Sequence, residues 1–246
     1  MQILKDKLKR SLHKSFTVKG FNIAWDLHIH RESRVSGTFP PHEKYCLTGQ
    51  AGNYFIHDGY QSRAEATYFD DTGNADEWQR EVYRFAREVF DERRLQKVCD
   101  IGCGSAFKLL RNFAGCDIAG FDVQATCEWL GRKYPGHSWI ELDFNAPSPV
   151  RADLVIAADV IEHVQYPEKL LSYILALSPQ YVVLSTPDRN LLEDGTHDGP
   201  PLNPAHIREW SYAEFQAFIG SRFKVLEHFI SNNSQATQCL LCTPFR

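Results

Sequence analysis

Val98-Cys99-Asp100-Ile101-Gly102-Cys103-Gly104-Ser105-Ala106-Phe107 is the stretch that decides the fold. A short apolar run ends in two glycines spaced one residue apart, and apolar residues at helical spacing follow from Phe107 to Phe113. This pattern predicts a strand, a tight glycine turn and a helix. Glycine lets the backbone adopt a positive φ and lets a ligand come close, and the free N–H groups at the start of a helix favour polar ligand groups.

A second apolar run, Ile118 to Asp122, ends in an acid 20 residues after Gly102. At that spacing, the acid of a second strand meets the ribose hydroxyls of a nucleotide that lies over the first turn. The dinucleotide-binding pattern requires a third glycine where this chain has Phe107, and the bulky ring argues against a pyrophosphate there. The two runs therefore predict a different adenosine-containing cofactor.

The rest of the chain alternates strand and helix patterns, which is typical of a mostly parallel sheet with crossover helices. Strands are predicted at 138–142, 153–157 and 181–185, and two more, at 223–230 and 237–243, form a C-terminal hairpin. Helices are predicted to begin at Asn74, Gln124, Pro167 and Ser211. Phe16 to Ile29 alternates apolar and polar residues, as a hairpin would.

Three motifs resemble those of class I S-adenosylmethionine-dependent methyltransferases. Asp100-x-Gly102-x-Gly104-x-Ala106 resembles the first motif, with Ala106 in place of a frequent third glycine. The segment from Asp153 to Val164 resembles the strand-four motif of the ubiquinone-biosynthesis-like branch. The run from His206 to Trp210 resembles a loop of methyltransferases from glycan and secondary-metabolite pathways.

The resemblance covers residues 75–246 and implies an α/β fold. We expect a Rossmann-like three-layer sandwich with a mostly parallel seven-stranded sheet and a C-terminal antiparallel hairpin. Residues 1–74 are expected to be an N-terminal extension that acts as a lid or contacts the substrate. Tyr54 to Arg63 suits such a lid and equally suits a loop packed on the domain edge.

S-adenosylmethionine is the cofactor that the resemblance implies. In the family's pattern, Asp122 binds the ribose, Asp143 accepts from the adenine amino group, Phe144 lines the base and the backbone at Ala158 meets the methionine end. For each acid, a role as helix cap or turn former is the alternative. The expected cofactor-binding residues are Asp100, Gly102, Cys103, Gly104, Asp122, Val123, Asp143, Phe144, Ala158 and Asp159.

Asp159, Glu162 and His163 follow the fourth strand and could face the cleft together. Three roles stay open for them. His163 could be a general base, the three residues could hold a divalent cation, or Glu162 and His163 could simply tie the helix to nearby backbone. A resident metal is not favoured. His206 is an alternative base, and the expected catalytic residues are His163, His206 and Asp159.

The acceptor is expected to be a small or glycan-like molecule methylated at oxygen. Arg189 or Arg208 could pair with a phosphate or carboxylate on it, although Arg208 could equally form a surface ion pair. The net charge of −4 gives no electrostatic case for nucleic acid. An NAD(P)-dependent oxidoreductase on a similar sheet and a non-catalytic nucleotide-binding module are the rival hypotheses.

We expect the protein to be cytoplasmic. No apolar run approaches the roughly 18 residues that span a bilayer, and the N-terminus lacks an apolar secretory core. The seven cysteines, an odd number, are expected to be reduced thiols. Residues 1–14 carry five cations against Asp6, so we expect a terminal helix with a solvated face, and contact with a membrane surface is the alternative.

Overall fold

The computed structural model describes residues 13–18, 21–26, 54–73, 78–146, 148, 150–192 and 197–245. Near the N-terminus, β1 (His13–Val18) pairs antiparallel with β2 (Phe21–Asp26), as the alternating pattern predicted. The predicted helix over residues 1–14 lies outside the described residues, except for His13 and Lys14, which are in β1.

The main sheet has seven strands in the order β5-β4-β3-β6-β7-β9-β8. Its strands are β3 (Lys97–Ile101), β4 (Asp117–Asp122), β5 (Ser138–Glu141), β6 (Leu154–Ala158), β7 (Tyr181–Pro187), β8 (Phe223–Asn232) and β9 (Thr237–Pro244). Neighbours among β3 to β7 pair in parallel, and β9 lies antiparallel between β7 and β8. The predicted Rossmann-like sheet with a C-terminal antiparallel hairpin is confirmed.

Within the described residues, five α-helices connect and cover the strands. They are α1 (Arg80–Glu92), α2 (Phe107–Asn112), α3 (Gln124–Lys133), α4 (Pro167–Ala176) and α5 (Tyr212–Gly220). The starts predicted at Gln124 and Pro167 are confirmed, and Ser211 caps α5 through a capping box with Glu214. Asn74 lies outside the described residues; the residue before α1 is Gln79, in a left-handed conformation.

The sheet separates two apolar cores. α1 and α2 pack on one face with Val98, Ile156 and Cys239, while α4 and α5 pack on the other with Cys99 and Cys242. Since successive side chains of a strand point to opposite faces, Cys239 and Cys242 lie in different cores. Both are buried free thiols, as expected. The central strands β3, β6 and β7 are covered on both sides, so their carboxyl ends form a rigid edge for a site.

No helix within the described ranges combines the length and the apolar character that crossing a membrane requires.

Candidate functional site

A cavity of about 930 Å³ lies at the carboxyl ends of β3, β4 and β6. This is where open α/β sheets bind their ligands. Of the predicted site residues, those that line it are Gly102, Asp122, Val123, Ala158, Asp159, His163 and His206. The structure thus brings seven of the predicted residues around one space, which is large enough for a nucleoside and a second small molecule.

The glycine turn is tied to the end of the neighbouring strand. The N–H of Gly104 donates to Oδ2 of Asp122 at 2.8 Å, and the N–H of Val123 donates to Oδ1 of the same carboxylate at 2.8 Å. Gly102 and Gly104 have φ of 69° and 49°, a conformation that glycine adopts without strain. The carboxylate of Asp122 is therefore held at the opening of the turn.

Two residues of the turn motif point away from the cavity. Cys103 is buried with Leu130. Asp100 is fully buried, accepts a 2.7 Å hydrogen bond from the Tyr83 hydroxyl, and has no partner for Oδ1. Burial raises the pKa of Asp100 to about 7. Asp100 thus lies beneath the turn, and its predicted part in cofactor binding stays a prediction.

Asp143 and Phe144 line a second, more open cavity of about 790 Å³. Leu142 and His163 border both cavities, so the two are adjacent. Asp143 Oδ1 accepts the N–H of Asn145 at 2.8 Å. This is the turn-forming role that was the alternative for this acid, and the predicted contact with adenine stays open.

Beyond β6, four side chains approach one another. Asp159 has a φ of 53°, a conformation that strains a non-glycine residue, and its Oδ1 accepts from the Ser185 hydroxyl at 2.5 Å. Glu162 and His163 follow in a single 3-10 turn, Ile161–His163. His206 comes from the loop after β7, and its ring meets the ring of His163 edge to face, with 4.8 Å between centroids.

Both imidazoles are oriented through Nδ1. In His163, Nδ1 lies 2.7 Å from the carbonyl oxygen of Ala205, and in His206, Nδ1 lies 2.6 Å from Oε1 of Glu209. Because these oxygens can only accept, Nδ1 of each ring is the donor, and in a neutral imidazole the lone pair is then on Nε2. The Nε2 of His206 accepts from Asn203 Nδ2 at 3.0 Å.

Glu162 is fully buried beside these rings. Its Oε2 accepts from the Thr186 hydroxyl at 3.0 Å, while its Oε1, 4.0 Å from Nε2 of His163, has no hydrogen-bond donor. Burial, together with the charge of Asp159, raises the pKa of Glu162 well above its usual range. Burial lowers the pKa of His163. Ligand atoms of Glu162, His163 and His206 all lie within 4.8 Å of one another.

Neither arginine proposed for the acceptor is available to it. Arg189 reaches the cavity, but its guanidinium is bound to Glu214 at 2.8 Å and to the carbonyl of Glu209. Arg208 is buried, does not line the cavity, and donates to the carbonyls of Val164 and Gln165. The surface ion pair predicted as an alternative for Arg208 is wrong.

Trp78, two residues before α1, lines the cavity, and its side chain is 51% exposed. Its neighbour Gln79 donates from Nε2 to the carbonyl of Ala158 at 3.1 Å. The start of α1 therefore closes one side of the site.

Sequence reasoning missed the wall formed by residues 66–71. Ala66, Thr67, Tyr68, Phe69 and Asp71 line the cavity, and nothing in their spacing resembles a motif. The preceding segment, Tyr54 to Arg63, which was considered as a lid, instead packs on the domain: Ile56 is buried in the core and the Tyr60 hydroxyl accepts the N–H of Glu209.

A protein-family model described as a methyltransferase domain matches residues 71–230. Among solved structures, the methyltransferase domain of bacterial CtHen1 is similar, with 18% identity and a TM-score of 0.56 over 68% of this chain and 99% of that one. The magnesium protoporphyrin IX methyltransferase of Synechocystis PCC 6803 with bound SAH is 17% identical, with a TM-score of 0.52 over 68% and 83% of the two chains.

The small RNA methyltransferase HEN1 is similar as well, with 17% identity and a TM-score of 0.52 over 76% of this chain and 27% of that chain. At these identities the likeness concerns the fold. Sequence comparison with curated proteins gives no match. The family match favours the methyltransferase prediction over an oxidoreductase on a similar sheet.

Proposed function

Because this chain belongs to the methyltransferase-domain family, whose model spans residues 71–230, and uses S-adenosylmethionine, we propose that it methylates a hydroxyl group of a small, glycan-like acceptor. The observation that carries this proposal is that one cavity joins the glycine turn to Glu162, His163 and His206. Methyl transfer from a sulfonium is an in-line displacement, so the protein mainly has to hold the nucleophile close to the methyl carbon.

A hydroxyl is a weak nucleophile until it loses its proton or is polarised. A histidine Nε2 could accept that proton. A divalent cation held by Glu162, His163 and His206 could instead lower the pKa of a bound hydroxyl. The two roles exclude each other, because a lone pair that binds a metal cannot accept a proton.

The buried environment of Glu162 favours a divalent cation over a histidine base at this site. An isolated buried carboxylate is costly and requires either a proton or a positive charge. A base at His163 would leave Oε1 of Glu162 without a function. A cation would use this oxygen and the Nε2 atoms of both imidazoles, that of His206 in place of its hydrogen bond from Asn203.

The surroundings of the two histidines also fit a metal ligand set. Metal-binding imidazoles usually donate their other N–H to a carbonyl or carboxylate, as His163 does to Ala205 and His206 to Glu209. Two imidazoles and a carboxylate suit a transition-metal ion such as Mn²⁺ or Zn²⁺ better than Mg²⁺, which prefers oxygen ligands.

The charge of the cavity supports an uncharged polar acceptor. Among the described residues, its lining has five carboxylates and a single guanidinium, that of Arg189, which Glu214 neutralises. Such a lining repels a phosphate backbone. The exposed rings of Tyr68, Phe69 and Trp78 at the cavity provide flat apolar surface for a sugar or an aromatic ring.

A methyl-transfer assay with a mixed acceptor panel tests this function. Labelled S-adenosylmethionine is offered with saccharides, phenols and a small RNA duplex, after treatment with EDTA and after addition of Mn²⁺, Zn²⁺ or Mg²⁺. We expect transfer to a saccharide or another uncharged hydroxyl compound, lost with EDTA and restored by Mn²⁺ or Zn²⁺. Transfer to RNA alone, or full activity in EDTA, would overturn the acceptor class or the cation, respectively.

A further inference from the structure

The segment Ala66–Asp71 is attached to the loop after β7 by backbone hydrogen bonds. The N–H of Arg63 donates to the carbonyl of Ile207 at 2.7 Å, and the N–H of Thr67 donates to the carbonyl of Pro204 at 2.9 Å. These bonds fix the path of the chain on both sides of residue 66. As a result, Asp71 faces the same cavity as Gly102 and Asp122, although it precedes the first strand of the sheet by more than 20 residues.

The carboxylate of Asp71 lies directly on the glycine turn. A Cβ atom at Gly104 would clash with the carboxylate group of Asp71. The positive φ of Gly104 favours glycine at this position, and the absence of a Cβ atom leaves room for the Asp71 carboxylate. Because Gly104 also donates its N–H to Asp122, the carboxylates of Asp71 and Asp122 face the same few backbone atoms.

Negative charge is concentrated at this turn. Burial, and then the charge of Asp122, raise the pKa of Asp71 to about 6, with Lys108 acting in the opposite direction. Asp100 lies beneath the same turn with one buried oxygen that has no donor. The carboxylates of Asp71 and Asp122, which both line the cavity, would be stabilised by a cationic group of a ligand. S-adenosylmethionine has one at its methionyl end, the α-ammonium group.

We propose that Asp71 binds the α-ammonium group of the cofactor and so positions its methionyl end from outside the sheet. This inference rests on the proposed function, since it takes the cavity to be the cofactor site. A carboxylate–ammonium contact is a charge-assisted hydrogen bond, stronger than one between neutral groups. Segment 66–71 then forms part of the cofactor site as well as one wall of the cavity.

Comparing three ligands distinguishes binding of the methionyl end from binding of the rest of the cofactor. S-adenosylmethionine and S-adenosylhomocysteine carry the α-ammonium group, and 5′-methylthioadenosine keeps the adenine, ribose and sulfur but lacks the amino-acid end. For Asp71→Asn, calorimetry should give dissociation constants about 10- to 100-fold higher for the first two ligands. The dissociation constant of 5′-methylthioadenosine should stay unchanged.

Asp70→Asn is the matched control. Asp70 is the exposed neighbour whose Oδ1 accepts the N–H of Thr72 at 3.0 Å, and it does not line the cavity. All three affinities should be unchanged in this variant. Asp71→Ala, compared with wild type by circular dichroism and thermal melting, shows whether an affinity loss comes from the missing carboxylate or from unfolding.

The outcomes distinguish the alternatives. Equal losses for all three ligands would mean that Asp71 acts at the ribose or the base, and tighter binding of all three would mean that it blocks the site; either result overturns the proposal, as does no change at all. If wild type binds none of the three ligands, the proposed function itself fails. If wild type binds them and Asp71→Asn binds all three with the affinity of wild type, the function stands and this inference fails.

Discussion

The N–H of Gly104 and the carboxylate of Asp122 are joined by a 2.8 Å hydrogen bond between two different strand ends. This bond holds the glycine turn and the predicted ribose-binding acid in one geometry. A ligand that uses both thus meets a site whose parts are already positioned relative to each other.

Asp122→Asn should weaken the binding of S-adenosylhomocysteine by about 1–3 kcal/mol, because a charged hydrogen-bond acceptor is lost. Calorimetry measures the change. Asp117→Asn is the matched control: it lies at the other end of β4, where Asp117 forms an ion pair with Lys97 at 3.2 Å. If both variants bind with the affinity of wild type, Asp122 is not a cofactor ligand.

Ala106→Gly should leave the protein as stable or make it more stable, by up to about 1 kcal/mol. Ala106 has a φ of 54° at the residue before α2, which costs an alanine energy and a glycine none. Urea denaturation gives the free energy of unfolding. The contrasting variant is Ala217→Gly inside α5, whose free energy of unfolding should fall by about 1 kcal/mol. A comparable fall in Ala106→Gly would show that Ala106 is not strained.

Glu162→Gln should raise the melting temperature in EDTA, because it replaces a buried carboxylate that has an unpartnered oxygen. The same variant should lose the increase in melting temperature that Mn²⁺ or Zn²⁺ gives to wild type, since a metal ligand is gone. Glu168→Gln, outside the cavity, should respond to metal as wild type does. A metal response that survives Glu162→Gln would exclude this cation site.

Glu214→Gln should destabilise the fold by about 3 kcal/mol, because it leaves the charge of Arg189 buried without its partner. Glu214 also accepts from the backbone N–H of His57 at 3.0 Å, so the loss includes an attachment of segment 54–73. Chemical denaturation at neutral pH measures the loss. Glu128→Gln, on the exposed side of α3, should change the free energy of unfolding by less than about 0.5 kcal/mol.

The ion pair between Glu214 and Arg189 makes the stability of the fold depend on pH. Burial disfavours the ionised form of Glu214, but the charge and hydrogen bonds of Arg189 outweigh it, and the pKa of Glu214 is lowered from its ordinary value of 4.5. Since the folded-state pKa is lower than the unfolded one, the ionised group stabilises the fold above pH 4.5, and this stability is lost as the pH falls through the folded-state value. The difference in free energy of unfolding between wild type and Glu214→Gln should therefore shrink below pH 4.5. A difference that stays constant would contradict a stabilising ion pair between Glu214 and Arg189.

The local sequence pattern was sufficient to predict the sheet and most of the site residues at the carboxyl ends of its strands. The strands at Val98, Ile118 and Leu154 are apolar runs with clear ends, and a parallel sheet brings such ends to one edge regardless of loop details. For that reason Gly102, Asp122, Asp159 and His163 could be placed together. His206 could be added to them because the run from His206 to Trp210 resembles a loop of known methyltransferases.

The remaining parts of the site depend on contacts between residues distant in sequence. The hydrogen bond from Tyr83 that holds Asp100 beneath the turn, the passage of Asp71 over Gly104, and the pairing of Arg189 with Glu214 leave no periodic signal. Trp78 follows the apolar pattern of a core helix, but it precedes the helix start and faces the cavity. The division of the chain at residue 74, and the role of residues 1–74 as an extension, stay predictions.

The most direct test of the account is calorimetric binding of S-adenosylhomocysteine to the full chain, measured for wild type, Asp122→Asn and Glu162→Gln. The account predicts one site per chain in wild type, an affinity loss of about 5- to 150-fold in Asp122→Asn, and unchanged affinity in Glu162→Gln. Absence of binding to wild type at millimolar ligand, or equal affinity of wild type and Asp122→Asn, would contradict the placement of the cofactor at this edge of the sheet.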